Sequence, residues 1–162
     1  MTTVLPQLPN LIILVGIPGS GKSTKAKELV SQGYTHISAD RVRAHLYGNA
    51  NCQGDSDHVF RVFNDQLNKA LLASKNVVVD NTNCKQKYRD RLRYVGNFYN
   101  YAIETWVIDT PLDECIRRNG LRSRVVPEHI LTNMYKSLHS NFPSSKEGVV
   151  KVIKSQVLNE VS

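Results

Sequence analysis

The chain has 162 residues, 41% hydrophobic and 22% charged, with 21 Lys plus Arg against 14 Asp plus Glu and a formal charge of +7. That length suits one domain with its own core; the basic balance suits a polyanionic partner such as nucleic acid or a nucleotide, although a merely basic protein accounts for the charge equally well. The longest apolar run, Leu11–Val15, is too short to span a membrane, and the scattered Cys52, Cys84 and Cys115 fit neither a zinc site nor a disulfide framework, so the expectation is a reduced, cytoplasmic setting and no structural metal.

Residues 1–10 lack the charged start and long apolar centre of a secretion signal and read as a short Pro-containing lead-in. Leu11–Val15 reads as a buried strand, followed by a Gly-rich turn. Lys22–Gln32 follows as a helix, with Ala26, Leu29 and Val30 on its inner face and Gly33 as its stop. Tyr34–Ser38 is a second strand, Ala39–Tyr47 a helix, and the stretch from Gly48 to Asp57 a polar loop.

The clearest helix runs from Asp57 to Ser74, where Val59, Val62, Phe63, Leu67, Ala70 and Leu71 share a face. Val77–Val79 is a strand. Gln86–Tyr99 is amphipathic with Tyr88, Leu92, Val95 and Tyr99 inward, which leaves Arg89, Arg91 and Arg93 largely outside the stripe. A solvated face is the plainer account of those arginines, an extended nucleic-acid track the bolder one.

Ile103–Ile108 is a strand, after which Thr110 and Pro111 start a helix as cap and first residue, with Leu112, Cys115 and Ile116 inward and Gly120 at its end. Leu121–Val126 is a basic connector. Pro127 opens a helix carrying Ile130, Leu131, Met134 and Leu138 inward; the chain is then polar from Pro143 to a last strand at Val149–Ile153. A tail over residues 155–162 shows no pattern and fits a disordered end. Strands alternating with helices predict an α/β fold: a central parallel sheet flanked by helices in three layers, formed by the single domain 1–162.

Gly16, Ile17, Pro18, Gly19, Ser20, Gly21, Lys22 and Ser23 satisfy G-x-x-x-x-G-K-[ST] in full, with Thr24 next, between an apolar strand and a helix. Glycines let the backbone approach an anion closely, successive N–H groups form a nest, and the helix N-terminus adds its positive end. Lys22 would reach the β and γ oxygens of ATP, and Ser23 would offer its hydroxyl to Mg²⁺. An empty Gly-rich turn is the bland account, and the agreement of motif with setting leaves it little room.

Ligands in an open parallel sheet sit beyond the carboxyl ends of its strands. Asp40, just past the second strand, could accept the proton of an attacking hydroxyl or could simply cap the next helix. Arg43, three residues on, could hold an anionic acceptor or be a surface arginine. Asp80 closes the Val77–Val79 run in the hhhD pattern that often holds Mg²⁺, with Asn81, Thr82 and Asn83 beside it; a turn is the ordinary alternative. Arg117, Arg118, Arg122 and Arg124 cluster around Gly120, as expected of an arginine lid that closes over ATP, or of a solvated basic loop.

Taken together, GIPGSGKST (16–24), SADRVR (38–43), VVVDNTN (77–83), RNGLRSR (118–124) and VVPEHILTNMYKSL (125–138) resemble the kinase module of the 5′-polynucleotide kinases, from about Leu11 to Phe142. The resemblance implies a P-loop kinase fold and Mg-dependent transfer of the ATP γ-phosphate to the 5′-OH of DNA or RNA, in nucleic-acid repair. It implies Lys22 and Ser23 on the phosphates and Mg²⁺, Asp40 as general base, and Arg43 on the phosphate next to the acceptor nucleoside. Asp80 or Asn81 would take the acceptor and metal role, and Arg122, with Arg124 second, would be the lid arginine. The D-x-D-x-T motif of an accompanying phosphatase is not matched, because Asp55-Ser56-Asp57 runs into His58-Val59. Two other readings stay open: a P-loop kinase of small molecules such as nucleosides or antibiotics, and a nucleotide-dependent binding module. A homo-oligomer is compatible with all three.

Overall fold

The computed structural model describes residues 5–155; the lead-in reaches into it only at residues 5–10, and residues 156–162 of the expected tail lie outside the described residues. The elements run β1 (Asn10–Val15), α1 (Lys22–Ser31), β2 (Thr35–Ile37), α2 (Ala39–Tyr47), α3 (Ser56–Leu72), β3 (Val77–Asp80), α4 (Gln86–Phe98), β4 (Ala102–Asp109), α5 (Leu112–Asn119), α6 (Glu128–Ser140), a 3₁₀ turn (Ser145–Glu147) and β5 (Val149–Lys154). The strands form one five-stranded sheet in the order β2-β3-β1-β4-β5. Every pairing is parallel, so all strand ends that carry polar site residues reach the same edge.

Alternation along β1 divides the core. Leu11, Ile13 and Val15 pack with Val42 of α2, Phe63 of α3, Leu92 of α4 and Leu131 of α6. Ile12 and Leu14 face the other way, against Ala26 and Leu29 of α1. The predicted three-layer α/β sandwich is thus the observed fold, with α1 forming one outer layer. Among the described residues, no helix is long and apolar enough to cross a membrane.

The side chains of α4 depart from the expected stripe. Tyr88 is exposed, whereas Arg89 is fully buried with Leu92 and Gly96. The cause is a close approach at Gly96, where a Cβ would stand 2.7 Å from Ile103 Cδ1 and 2.8 Å from Leu11 Cδ2. That contact turns the helix so that position 89 faces inward, where the carboxylate of Glu147 meets it. Arg93 also pairs with Glu147, at 2.5 Å, so a nucleic-acid track over residues 89–93 has two of its three arginines committed to Glu147. The turn holding Glu147 falls within the polar stretch between Pro143 and the last strand.

Smaller departures have local causes. Val30 and Ile130 are exposed at the ends of their apolar faces. Ser38 is the N-cap of α2 rather than the last residue of a strand, its hydroxyl accepting from the Arg41 N–H. Thr110 does not cap α5; its hydroxyl donates to the Ser20 carbonyl at 2.7 Å, and the N-cap is Pro111. Pro127 likewise precedes α6 as its N-cap.

Candidate active site

The loop from Gly16 to Gly21 joins β1 to α1 with Gly19 and Gly21 at φ +83° and +97°, backbone that side-chain-bearing residues rarely adopt. Gly19 could not carry a side chain in any case, since a Cβ there would stand 2.6 Å from the Cys115 carbonyl oxygen. No side chain caps α1 at Gly21 and no acidic residue sits in its first turn. Its leading N–H groups are therefore left for an anion. Ile17 and Ser20 are buried, Pro18 is half-buried and Thr24 is exposed. The Ser20 hydroxyl has no hydrogen-bond partner among the described residues.

Lys22 leaves the loop toward β3, its Nζ 2.5 Å from Asp80 Oδ1. The other carboxylate oxygen accepts from His36 Nε2 at 2.8 Å. Burial opposes ionisation of Asp80, but the His36 hydrogen bond and then the Lys22 charge outweigh it and bring the carboxyl down from 3.8 to about 2. His36 belongs to no motif in the sequence; its signal is the register that sets it beside Val78 of β3, visible only once β2 and β3 are paired.

Asp40 lies in the first turn of α2, where Ser38 already serves as cap. Its carboxylate is therefore not needed to close the helix, which removes the bland account of that residue. Oδ1 accepts from Arg43 Nη1 at 2.8 Å and from Arg124 Nη1 at 3.1 Å. Arg124 also donates to the Ala50 carbonyl at 3.3 Å, linking the α5–α6 connector to the loop after α2. Arg122 on the same connector is exposed.

Asn81 bridges the two halves of the site: its Oδ1 accepts from the Ala39 N–H at 2.9 Å, holding the start of α2 against the end of β3. Asn83 donates to the Leu14 carbonyl at 2.8 Å, and Gly16 donates to the Thr82 carbonyl at 3.0 Å. From behind, buried Arg89 donates to the carbonyls of Asn83 (2.9 Å) and Cys84 (3.0 Å). Arg89 and Glu147 lie 58 residues apart in the chain, so no local pattern points to the pair.

The outer side of the cradle rests on α5. Arg118 Nη1 reaches the carbonyls of Gly19 and Ser20 at 3.4 and 3.3 Å, and Nη2 reaches Ser155 Oγ at 3.1 Å. Glu114 aims Arg117 and Arg118, and their hydrogen bonds bring its carboxyl down from 4.5 to about 2. Arg117 and Arg118 lie on α5, ahead of the connector that carries Arg122 and Arg124.

Lys22, Ser23, Asp40 and Asp80 all line one cavity of about 540 Å³. A glycine nest, an uncapped helix start and a lysine suit a triphosphate, and the Ser23 hydroxyl with an ionised Asp80 supplies the hard oxygen donors that Mg²⁺ takes. The architecture is that of the P-loop kinases, in which a strand–glycine turn–helix unit presents a nucleotide to groups at the ends of neighbouring strands. The chain belongs to the AAA domain family, which it matches over residues 11–140.

A bifunctional polynucleotide kinase/RNA ligase of Autographa californica nuclear polyhedrosis virus is 34% identical over 140 residues, covering 78% of this chain and 20% of the relative. A bifunctional polynucleotide phosphatase/kinase of Acanthamoeba polyphaga mimivirus is 28% identical, covering 81% and 30%. The chain therefore spans less than a third of either viral relative. An L-seryl-tRNA(Sec) kinase of Methanococcus maripaludis is 26% identical over 93% of this chain and 64% of its own. Among solved structures, a chain of the Pnkp1/Rnl/Hen1 complex is 25% identical with a TM-score of 0.63, covering 72% of this chain and 41% of that one. A gluconokinase from Sinorhizobium meliloti 1021 shares the fold at a TM-score of 0.63 and 21% identity, covering 96% and 89%.

Proposed function

We propose that the chain transfers the γ-phosphate of ATP to the 5′-hydroxyl end of DNA or RNA, as a repair-type polynucleotide kinase. The observation that carries this reading is Asp40: a carboxylate spared from helix capping, paired with Arg43, on the same cavity as the phosphate-loop Lys22. The kinase relatives named for polynucleotides support the choice of acceptor. The free cysteines suit a reducing compartment such as the cytoplasm.

Lys22 exchanges Asp80 for the β and γ oxygens, and the nest N–H groups hold the rest of the chain of phosphates. Ser23 and Asp80 are the residues that would hold Mg²⁺, which supplies neutralisation of the charge on those oxygens. Asp40 orients the 5′-hydroxyl and takes its proton as the new O5′–P bond forms and the β–γ bridging P–O bond breaks, leaving ADP. Arg43 and a connector arginine, Arg122 or Arg124, hold the acceptor phosphate and the transferring group respectively. Asn81 keeps α2 in place so that Asp40 faces the cavity.

A kinase of small molecules is the second reading, favoured by the gluconokinase likeness over nearly the full length of both chains. The test supplies γ-labelled ATP and Mg²⁺ with a 5′-OH oligonucleotide, the same oligonucleotide already 5′-phosphorylated, a nucleoside and gluconate. Label on the 5′-OH oligonucleotide alone is expected. Label on the nucleoside or gluconate with none on the oligonucleotide would replace the first reading by the second.

A further inference from the structure

The cavity that holds Lys22 and Asp40 does not end at them. It continues as a groove between α1 and α2, past Lys27 and Val30 on one wall and Arg41 on the other. Ser23, Lys27 and Val30 recur at helical spacing along one face of α1, and Val30 there is 41% exposed.

The charge in this groove is one-sided. Asp80 is neutralised by Lys22 and also hydrogen-bonds His36. Asp40 is neutralised by Arg43 and Arg124. The nearby Glu28 of α1 pairs with Lys25. Lys27 and Arg41 are both exposed, and the side chain of neither has a hydrogen bond or ion pair among the described residues. Two uncompensated cations lining one cavity, with exposed Val30 one turn from Lys27, suit a phosphodiester carrying a sugar and base.

We propose that this groove is a second acceptor subsite, in which Lys27 and Arg41 clamp a backbone phosphate beyond the one next to Arg43. The subsite rests on the polynucleotide reading and deepens it. A nucleoside 3′-monophosphate reaches only Arg43, whereas a longer single strand gains the clamp. The groove thereby favours polynucleotides over mononucleotides. The contact is to backbone, so it adds affinity without base preference.

The test measures binding of a fluorescent 5′-OH hexanucleotide by anisotropy across a salt series, and phosphate transfer to the same strand separately. The double variant Lys27→Ala/Arg41→Ala is compared with the intact chain and with Lys69→Ala/Lys75→Ala. The latter removes the same charge at the end of α3 and before β3, at the opposite edge of the sheet. The clamp variant should bind roughly tenfold more weakly, with the salt slope reduced by about 0.7 for each contact removed, and the control should match the intact chain. Equal affinity and salt slope in the clamp variant and the intact chain, or an equal loss in the control, would overturn the subsite. A strand that binds through the clamp but receives no phosphate in any variant would sink the kinase reading while leaving the subsite in place.

Discussion

Arg89 and Arg124 each hold a carboxylate, but in opposite surroundings. Arg89 is 0% exposed and every N–H of its guanidinium has an acceptor: Glu147 by Nε and Nη2, the carbonyls of Asn83 and Cys84 by Nη1, and that of Asn141 by Nη2. Arg124 meets Asp40 through one nitrogen, across a carboxylate whose side chain is 56% exposed. Removing one partner of a buried pair strands a charge, whereas an exposed pair contributes little and exchanges readily. One network therefore fixes the loop after β3, which begins at Asn81 directly behind Asp80. The other can release Asp40 to a new partner at small cost. Rigid scaffold and exchangeable contact sit at either end of the same loop system, and a phosphotransfer site needs both.

The contrast sharpens when each network is cut. Lys22→Ala should lower kcat for transfer by roughly a thousandfold or more, because the cation over the β and γ oxygens is gone. Its Tm should change far less than its rate. Next comes Arg89→Met, which should cost about 3–5 kcal/mol of stability and lower Tm on the order of 10 °C. Adding Glu147→Met should recover only part of that, since three carbonyls still lack their donor. A Tm for Arg89→Met within a degree or two of the intact chain would erase the distinction between the networks.

On the exposed side, Arg122→Ala and Arg124→Ala should each leave Tm nearly unchanged. Whichever is the lid arginine should lose at least about tenfold in kcat, and the other little. Steady-state rates at saturating ATP separate them. Equal, negligible losses in both would remove the connector from catalysis.

The smallest effect is expected in acid. Asp80 ionises more readily in the fold than in the unfolded chain, so its contribution, about 2 kcal/mol, is present above pH 3.8 and is lost as pH falls toward about 2. Glu147 is also held below its ordinary 4.5: burial opposes ionisation, but hydrogen bonds from Arg89 and Arg93 and their charges prevail. Its share disappears below that value in the same direction. Asp80→Asn should accordingly flatten the acid limb of a denaturation series between pH 3.8 and about 2. An unaltered limb would mean that the pairing with His36 and Lys22 is not made in solution.

Much of this was legible in the chain itself because the signals are local. The phosphate loop is contiguous, Leu11–Val15 of β1 and Val77–Val79 of β3 are unbroken apolar runs, and α3 repeats its face over four turns. The family resemblance then named Asp40 and Arg43 from a six-residue stretch. What stayed hidden depends on partners remote in sequence. Tyr88 and Arg89 exchange places because Gly96 lets α4 approach β1 and because Glu147 waits inside, and neither fact is written within α4. His36 becomes part of the site only through β2–β3 register. Arg118 reaches the Gly19 and Ser20 carbonyls across 99 and 98 residues of sequence, so its place behind the phosphate loop is not written within α5.

The central claim is that Asp40 receives the proton of a nucleic-acid 5′-hydroxyl. Single-turnover transfer of labelled phosphate from ATP to a 5′-OH oligonucleotide, with intact protein and Asp40→Asn at saturating levels of both substrates, tests it most directly. The account predicts a rate about a hundredfold to ten-thousandfold lower in the variant, with ATP and oligonucleotide affinities retained. A variant that transfers at the rate of the intact protein would contradict it.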